Sequence, residues 1–292
     1  MIQERLKALR AEMEKRGITV YVVPTADFHE SEYVGDHFKA RKFITGFTGS
    51  AGTAVITLDE AGLWTDGRYF VQAENQLKDS TVTLYRMGEE GVPTVDEFVK
   101  DRLKEGGCLG FDGRVVNGTW GGKLEKIAAE KNVSMHVTED LIDLIWEDRP
   151  ALSKQPLFIL EEKYSGKSTA DKIADLRKAM KENGADVHIL TSLYDIAWLL
   201  NIRGNDIDYV PVVLSYLVLN ETECIWFLQE EVVDDKIRAY LEENHITTKP
   251  YDAIYDYVPE IPADAVVLMN RGTVNYRIVN SLDKAIKVVD KP

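Results

Sequence analysis

The chain has 292 residues with 35 Lys+Arg against 49 Asp+Glu, a formal net charge of −14, and 45% of it is apolar. At roughly 100–200 residues per domain this length points to two domains, and the apolar share is too high for disorder. The acidic balance excludes nucleic acid and anionic membrane surfaces as partners, since both demand clustered Lys and Arg.

Ile2, Leu6, Leu9 and Met13 follow a helical period, and Gly17 stops that helix. Ile18–Val23 is a β-branched run that reads as a buried strand ending at Pro24. Gly52–Thr57 and Gly62–Thr65 read as a hairpin turning at Asp59-Glu60-Ala61, followed by a helical pattern over Tyr69–Leu77. Strands are predicted at 82–85, 108–111 and 133–137. A second helix, glycine and strand then appear: Ile173, Leu176 and Met180 form the face, Gly184 the stop, and Asp186–Leu190 the strand. Leu9-Arg10, Met13 and Gly17 match Leu176-Arg177, Met180 and Gly184 at one offset of 167, an ungapped internal repeat. A second hairpin (212–219 with 224–228), a helical pattern over 232–241 and a strand at 266–269 complete the second copy. The fold class is α/β, with two similar domains, each a mixed sheet flanked by helices. The boundary is expected in the Pro-rich stretch 148–156. No apolar run approaches the roughly 18 residues of a membrane span. The charged start is not a secretory signal, and two cysteines suit a reducing cytosol.

Catalytic motifs are scarce. Ser50 sits in Gly49-Ser50-Ala51-Gly52, which lacks the spacing of a nucleophile elbow and reads as a tight turn. His29 and His37 share a segment without a third ligand, so they read as structural or surface residues. Arg68, in Trp64-Thr-Asp-Gly-Arg-Tyr-Phe70, is expected in the first turn of a helix capped by Thr65 or Asp66. A cation there opposes the helix dipole. It either presents a planar fork to a carboxylate or a peptide carbonyl, or forms a salt bridge to Asp66 or Glu74. Asp66 and Asp112 each begin the triplet Asp-Gly-Arg at a strand end. The pair reads as two turns, or as two carboxylates on neighbouring strands holding Mg²⁺ for phosphoryl hydrolysis.

Taken in order, several segments resemble one family. They are Asp27-x-His29-x-Ser31-Glu32-Tyr33, Phe43-x-x-Gly46-Phe47-x-Gly49-Ser50-Ala51-Gly52-Thr53-Ala54, Trp64–Phe70, Ile145-Trp146-x-Asp148-Arg149-Pro150 and Asp195-Ile-Ala-Trp198-Leu-x-Asn201-x-Arg203-Gly204-x-Asp206. Together they look like the amino-terminal part of the Xaa-Pro aminopeptidases (aminopeptidase P), in the three-domain, cytosolic-type branch. The resemblance implies two creatinase amino-terminal-like domains of ribonuclease H-like fold, here 1–153 and 154–292. It also implies a third, pita-bread domain. That domain holds two divalent metals, usually manganese, and removes the first residue from peptides with proline second. The chain stops at Lys291-Pro292, about where the second domain would hand over, so the resemblance places the metal ligands and catalytic residues outside it. The fragment alone is then expected to be inactive, supplying substrate gating and dimerisation to a cytoplasmic homodimer. Arg68 matches the family arginine that contacts substrate peptide. His29, Glu32 and Tyr33 match a family motif and are expected to line the cleft. Asn201-x-Arg203-Gly204 is expected to pack a loop toward the catalytic domain. The alternative is a stand-alone binding or interaction module without a catalytic partner.

Overall fold

Leu6, Leu9 and Met13 lie buried along one side of α1 (Ile2–Lys15), and Gly17 takes the left-handed conformation (φ +67°) that ends it. The chain then enters β1 (Val20–Pro24), buried at every position. A central strand covered on both faces needs no polar alternation, which is why its sequence is a continuous β-branched run. The computed structural model describes residues 1–291. It divides into two compact units. The first comprises Met1–Asp27 and Asp36–Ala151; the second comprises Phe28–Gly35 and the chain from Leu152 onward.

In the first unit, β1 is joined by β2 (Thr53–Thr57), β3 (Ala61–Thr65), β4 (Thr83–Arg86), β5 (Cys108–Phe111) and β6 (Ser134–His136), in the order β4-β3-β2-β1-β5-β6. β1–β2 and β2–β3 pair antiparallel; β3–β4, β1–β5 and β5–β6 pair parallel. The helices are α1, α2 (Ala40–Thr45), α3 (Phe70–Leu77), α4 (Val95–Arg102) and α5 (Gly118–Glu130). One core joins α1, α2, α3 and the sheet, with Leu141 and Ile142 from beyond β6. Helix α5 escapes the periodicity reading because Gly118, Gly121 and Gly122 depress its propensity. Packing overrides this: Gly118 and Gly121 are buried, and Asn117 caps the helix by accepting from the Trp120 N–H.

The second unit repeats the plan. Its strands are β7 (Phe158–Ile159), β8 (Val187–Leu190), β9 (Ile202–Arg203), β10 (Ser215–Asn220), β11 (Cys224–Leu228), β12 (Thr247–Pro250), β13 (Val266–Met269) and β14 (Lys287–Asp290). Its sheet runs β12-β11-β10-β8-β13-β14 with the same alternation of parallel and antiparallel pairs, while β7 and β9 form a small separate pair. The helices are α6 (Glu162–Ser165), α7 (Thr169–Glu182), α8 (Leu193–Leu200), α9 (Asp235–Glu243), α10 (Ile254–Tyr257) and α11 (Tyr276–Ser281).

One segment departs from the expected division at 153/154. Residues 28–35, read from sequence as part of the first domain, belong to the second unit. The cause is a buried polar network. His29 Nδ1 meets the Thr191 carbonyl at 2.9 Å, and Nε2 meets the Tyr251 hydroxyl at 2.6 Å. Asn275 Nδ2 donates to the Phe28 carbonyl at 3.1 Å. A carbonyl can only accept, so Nδ1 carries a proton; in the neutral ring Nε2 then accepts from Tyr251.

Candidate functional site

The most exposed cation of the flagged motifs stands where β3 ends. Thr65 stays in the strand and donates its hydroxyl to the Ala51 carbonyl at 2.7 Å, so it caps no helix. Asp66 does not cap α3 either. Its Oδ1 accepts from the Arg68 backbone N–H at 3.0 Å and from Arg68 Nε at 2.8 Å, while Oδ2 accepts from Nη2 at 2.8 Å. α3 therefore begins only at Phe70, and Arg68 precedes it rather than sitting in its first turn. The Arg68 guanidinium holds the Asp66 carboxyl down at about 2 and is itself raised by the pair. Arg68 is 71% exposed, with its guanidinium carbon 5.3 Å from the centre of the Tyr69 ring. Among the described residues Nη1 has no recorded acceptor. The pair thus fixes the plane of the fork and leaves its outer donors for a carbonyl or carboxylate.

The ground around Arg68 is built by a buried cation. Arg41, on α2, donates from Nε to the Thr25 hydroxyl at 2.9 Å, from Nη1 to the Phe47 carbonyl at 2.6 Å, and from Nη2 to the Gly49 carbonyl. Burial brings its guanidinium down to about 10. These bonds shape the loop 47–52. Gly49 is required there, since a Cβ would stand 2.2 Å from the Phe47 ring and 2.8 Å from Tyr69. Ser50 Oγ lies 2.6 Å from the Tyr69 hydroxyl, a phenol rather than the base that a nucleophile needs. Gln72 and Gln76 both donate to the Thr48 hydroxyl, at 2.9 and 2.8 Å. The result is a polar, neutral shelf with one fork at its edge. Sequence reading missed Arg41, because in the basic stretch Lys39-Ala40-Arg41-Lys42 nothing sets it apart from the two lysines beside it.

The second Asp-Gly-Arg closes in the same way. Asp112 accepts from the Arg114 N–H at 2.9 Å and from its guanidinium at 3.0 Å, with both side chains largely buried. The phosphohydrolase reading fails on topology. β2 and β1 separate β3 from β5, so the two strand ends lie three strand spacings apart, about 14 Å. Each carboxylate is also taken up by its own arginine. Among the described residues no group of three or more His, Cys, Asp or Glu could hold a metal ion.

In the second unit His29 is buried, anchored as above, with the Tyr216 ring 4.5 Å away. Both of its ring nitrogens are taken up by internal partners. Glu32 and Tyr33 are exposed; Tyr33 meets Tyr209 edge-on at 6.0 Å. His37 is apart from His29, with Nδ1 donating to the Pro150 carbonyl at 2.8 Å. Asn201 and Arg203 are turned inward. Asn201 accepts from Lys172 Nζ at 2.6 Å, and Arg203 donates to the Ala197 and Ile202 carbonyls.

His188 supplies a pH prediction. Burial holds its imidazole below the ordinary value, against smaller upward pulls from the Leu268 carbonyl and Asp195. The unfolded chain therefore binds the extra proton first. The stability His188 contributes is present in full above about pH 6.5 and declines as pH falls below it. His188→Asn is expected to lose less urea resistance than the parent between pH 7.5 and 5.5. Equal losses in the two proteins would rule this out.

Comparison with known proteins agrees with this architecture. A profile described as the Creatinase/Prolidase N-terminal domain matches residues 5–145, and a second of the same description matches residues 148–292. A probable Xaa-Pro aminopeptidase P of Neurospora crassa is 39% identical over 98% of this chain and 42% of its own length. One from Sordaria macrospora is 42% identical over 98% of this chain and 47% of its own. The crystal structure of an X-prolyl aminopeptidase from Caenorhabditis elegans, a cytosolic enzyme with a di-nuclear active site, superposes with a TM-score of 0.94 at 32% identity, covering 100% of this chain and 50% of that one. The chain thus spans about half the length of the relatives it matches.

Proposed function

We propose, from the premise that this chain belongs to the family of creatinase/prolidase N-terminal domains and holds two of them, that it is the amino-terminal part of an Xaa-Pro aminopeptidase. The observation that carries this reading is the likeness to the C. elegans enzyme across all of this chain and half of that one. The reaction would be release of the first residue from peptides with proline second. Its chemistry would come from a pair of divalent metals, manganese by the family resemblance, held by a carboxy-terminal catalytic domain. Residues 1–291 would take no part in holding them.

The part assigned to this chain is recognition. Asp66 occupies Nε and Nη2 of Arg68 and so aims the fork, while the outer N–H groups donate to a carbonyl or carboxylate of the bound peptide. The shelf from Thr48 to Ser50 supports that edge and limits what can lie against it. Glu32 and Tyr33 are proposed to border the cleft from the exposed part of their loop, with His29 acting through their placement. Cytoplasmic residence and a homodimer complete the reading; the mass by light scattering checks the second.

A hydrolysis assay on an X-Pro peptide with added Mn²⁺ tests the division of labour. The purified 292-residue chain is expected to show no turnover, and the protein at the relatives' length to show it. Turnover by the shorter chain would overturn the assignment.

A further inference from the structure

In the first unit the face of β1 and β5 is sealed by the segment that follows β6. Leu141 and Ile142 are buried there, and the Leu141 N–H donates to the Tyr21 hydroxyl at 3.0 Å. Trp146 stacks on Phe43 of α2, centroids 4.6 Å apart and planes at 15°. What space remains among Tyr21, Ala40, Asp112, Val115 and Ile142 is about 10 Å³, at most a single water.

The second unit rebuilds this place side chain by side chain. Arg5 donates from Nη1 to the Phe43 carbonyl at 2.8 Å with its guanidinium 4.0 Å over the Phe43 ring. Lys172, at the repeat offset, donates from Nζ to the Trp198 carbonyl at 2.7 Å and lies 4.4 Å over the Trp198 ring. Phe43 and Trp198 each stand shortly before a left-handed helix end, Gly46 and Asn201. Arg10 and Arg177 each donate from Nε to the last carbonyl of a neighbouring strand, that of Thr57 at 2.9 Å and that of Asn220 at 3.0 Å. His188 takes the position of Tyr21. Tyr21 pairs with Gly110 of β5, and His188 with Leu268 of β13. Asn270 takes the position of Asp112, accepting from the N–H two residues on in the same way.

The seal of the first unit has no counterpart among the described residues of the second. The same place in the second unit is a cavity of about 240 Å³ lined by His188, Asp195, Trp198, Asn270, Thr273 and Lys291. Trp198 is 54% exposed where Phe43 is 7% exposed. We propose that this cavity seats a short apolar segment bearing an aromatic ring, and that the occupant is the polypeptide running on from β14 in a protein of the relatives' length. β14 is the counterpart of β6, each the parallel outer neighbour of β13 or β5. Lys291, the residue after β14, already lines the cavity. An incoming ring would stack on Trp198 as Trp146 does on Phe43. The proposal does not depend on which reaction the longer protein runs.

Hydroxyl-radical footprinting with mass spectrometry tests it. Trp198 oxidation is expected to fall by about fivefold or more from the 292-residue chain to the longer protein, as a half-exposed ring becomes buried. Tyr164, 70% exposed and outside the cavity lining, serves as the reference. Replacing the ten residues after Pro292 with Gly and Ser in the longer protein is expected to restore oxidation. Equal oxidation in the two parent proteins, or protection that survives the replacement, would overturn the proposal. Protection in the short chain that rises with its concentration would overturn it too, by naming a second copy as the occupant.

Discussion

Arg68→Lys, made in the protein at the relatives' length, is expected to lower kcat/KM on an X-Pro peptide by about ten- to a hundredfold. Lysine keeps the charge but loses the planar fork, and with it both the paired bonds to Asp66 and the fixed direction of the outer donors. The loss should fall mainly on KM if the contact is equally good in ground and transition states. Stability should barely respond, because the side chain is 71% exposed and exposed ion pairs contribute little. Arg68→Ala in the 292-residue chain is accordingly expected to leave its melting temperature nearly unchanged. An unchanged kcat/KM in the lysine variant would remove Arg68 from recognition, and a large melting shift in the alanine variant would make it structural.

Trp64→Ala carries the largest expected effect on stability. Trp64 is fully buried in β3, stacked on Tyr85 at 4.1 Å with planes 2° apart, and meets Phe98 at 4.8 Å. Its indole N–H donates to the Pro93 carbonyl at 2.7 Å. Its ring crosses Gly62, where a Cβ would stand 2.6 Å from it. Truncation removes the ring from both aromatic partners and leaves a cavity that a rigid sheet cannot close, at about 3–5 kcal/mol. With a typical urea dependence, the first unit's midpoint should drop by roughly 1–2 M. Trp64→Phe, which keeps a ring between Tyr85 and Phe98, should lose clearly less. An alanine variant within about 1 kcal/mol of the parent would show that the site collapses freely.

Most strands were legible in the sequence because they are buried runs bounded by turn residues. β5 and β13 appear at 108–111 and 266–269 as read. The internal repeat was legible too, since Arg10 and Arg177 hold the same bond in each unit. Short edge strands such as β12 escaped: Thr247–Pro250 is mostly exposed and carries little apolar pattern. The oddness of Arg68 was visible, but its cause was not. The sequence reading put the arginine inside a helix, whereas its own Asp66 had withdrawn it from one. The partners of His29 were not legible, because nothing local reports that Thr191 and Tyr251, 162 and 222 residues away, meet its ring.

That last separation bears on how the chain acquires its structure. Residues 28–35 leave the ribosome early, yet their bonds wait for Thr191, Tyr251 and, 247 residues beyond Phe28, Asn275. The first unit can close around its own sheet long before then, with this octapeptide extruded as an unsatisfied loop. Contacts of such high sequence separation form slowly, because the intervening chain must be ordered first. The second unit is thus the late folder, and it finishes only by recovering a piece made more than a hundred residues before the rest of it. Cutting the polypeptide at residue 152 would therefore not yield two self-sufficient halves. The downstream half would be born without the strap that meets the Tyr216 and Tyr251 rings, and adding back a peptide of residues 28–35 should be what completes it.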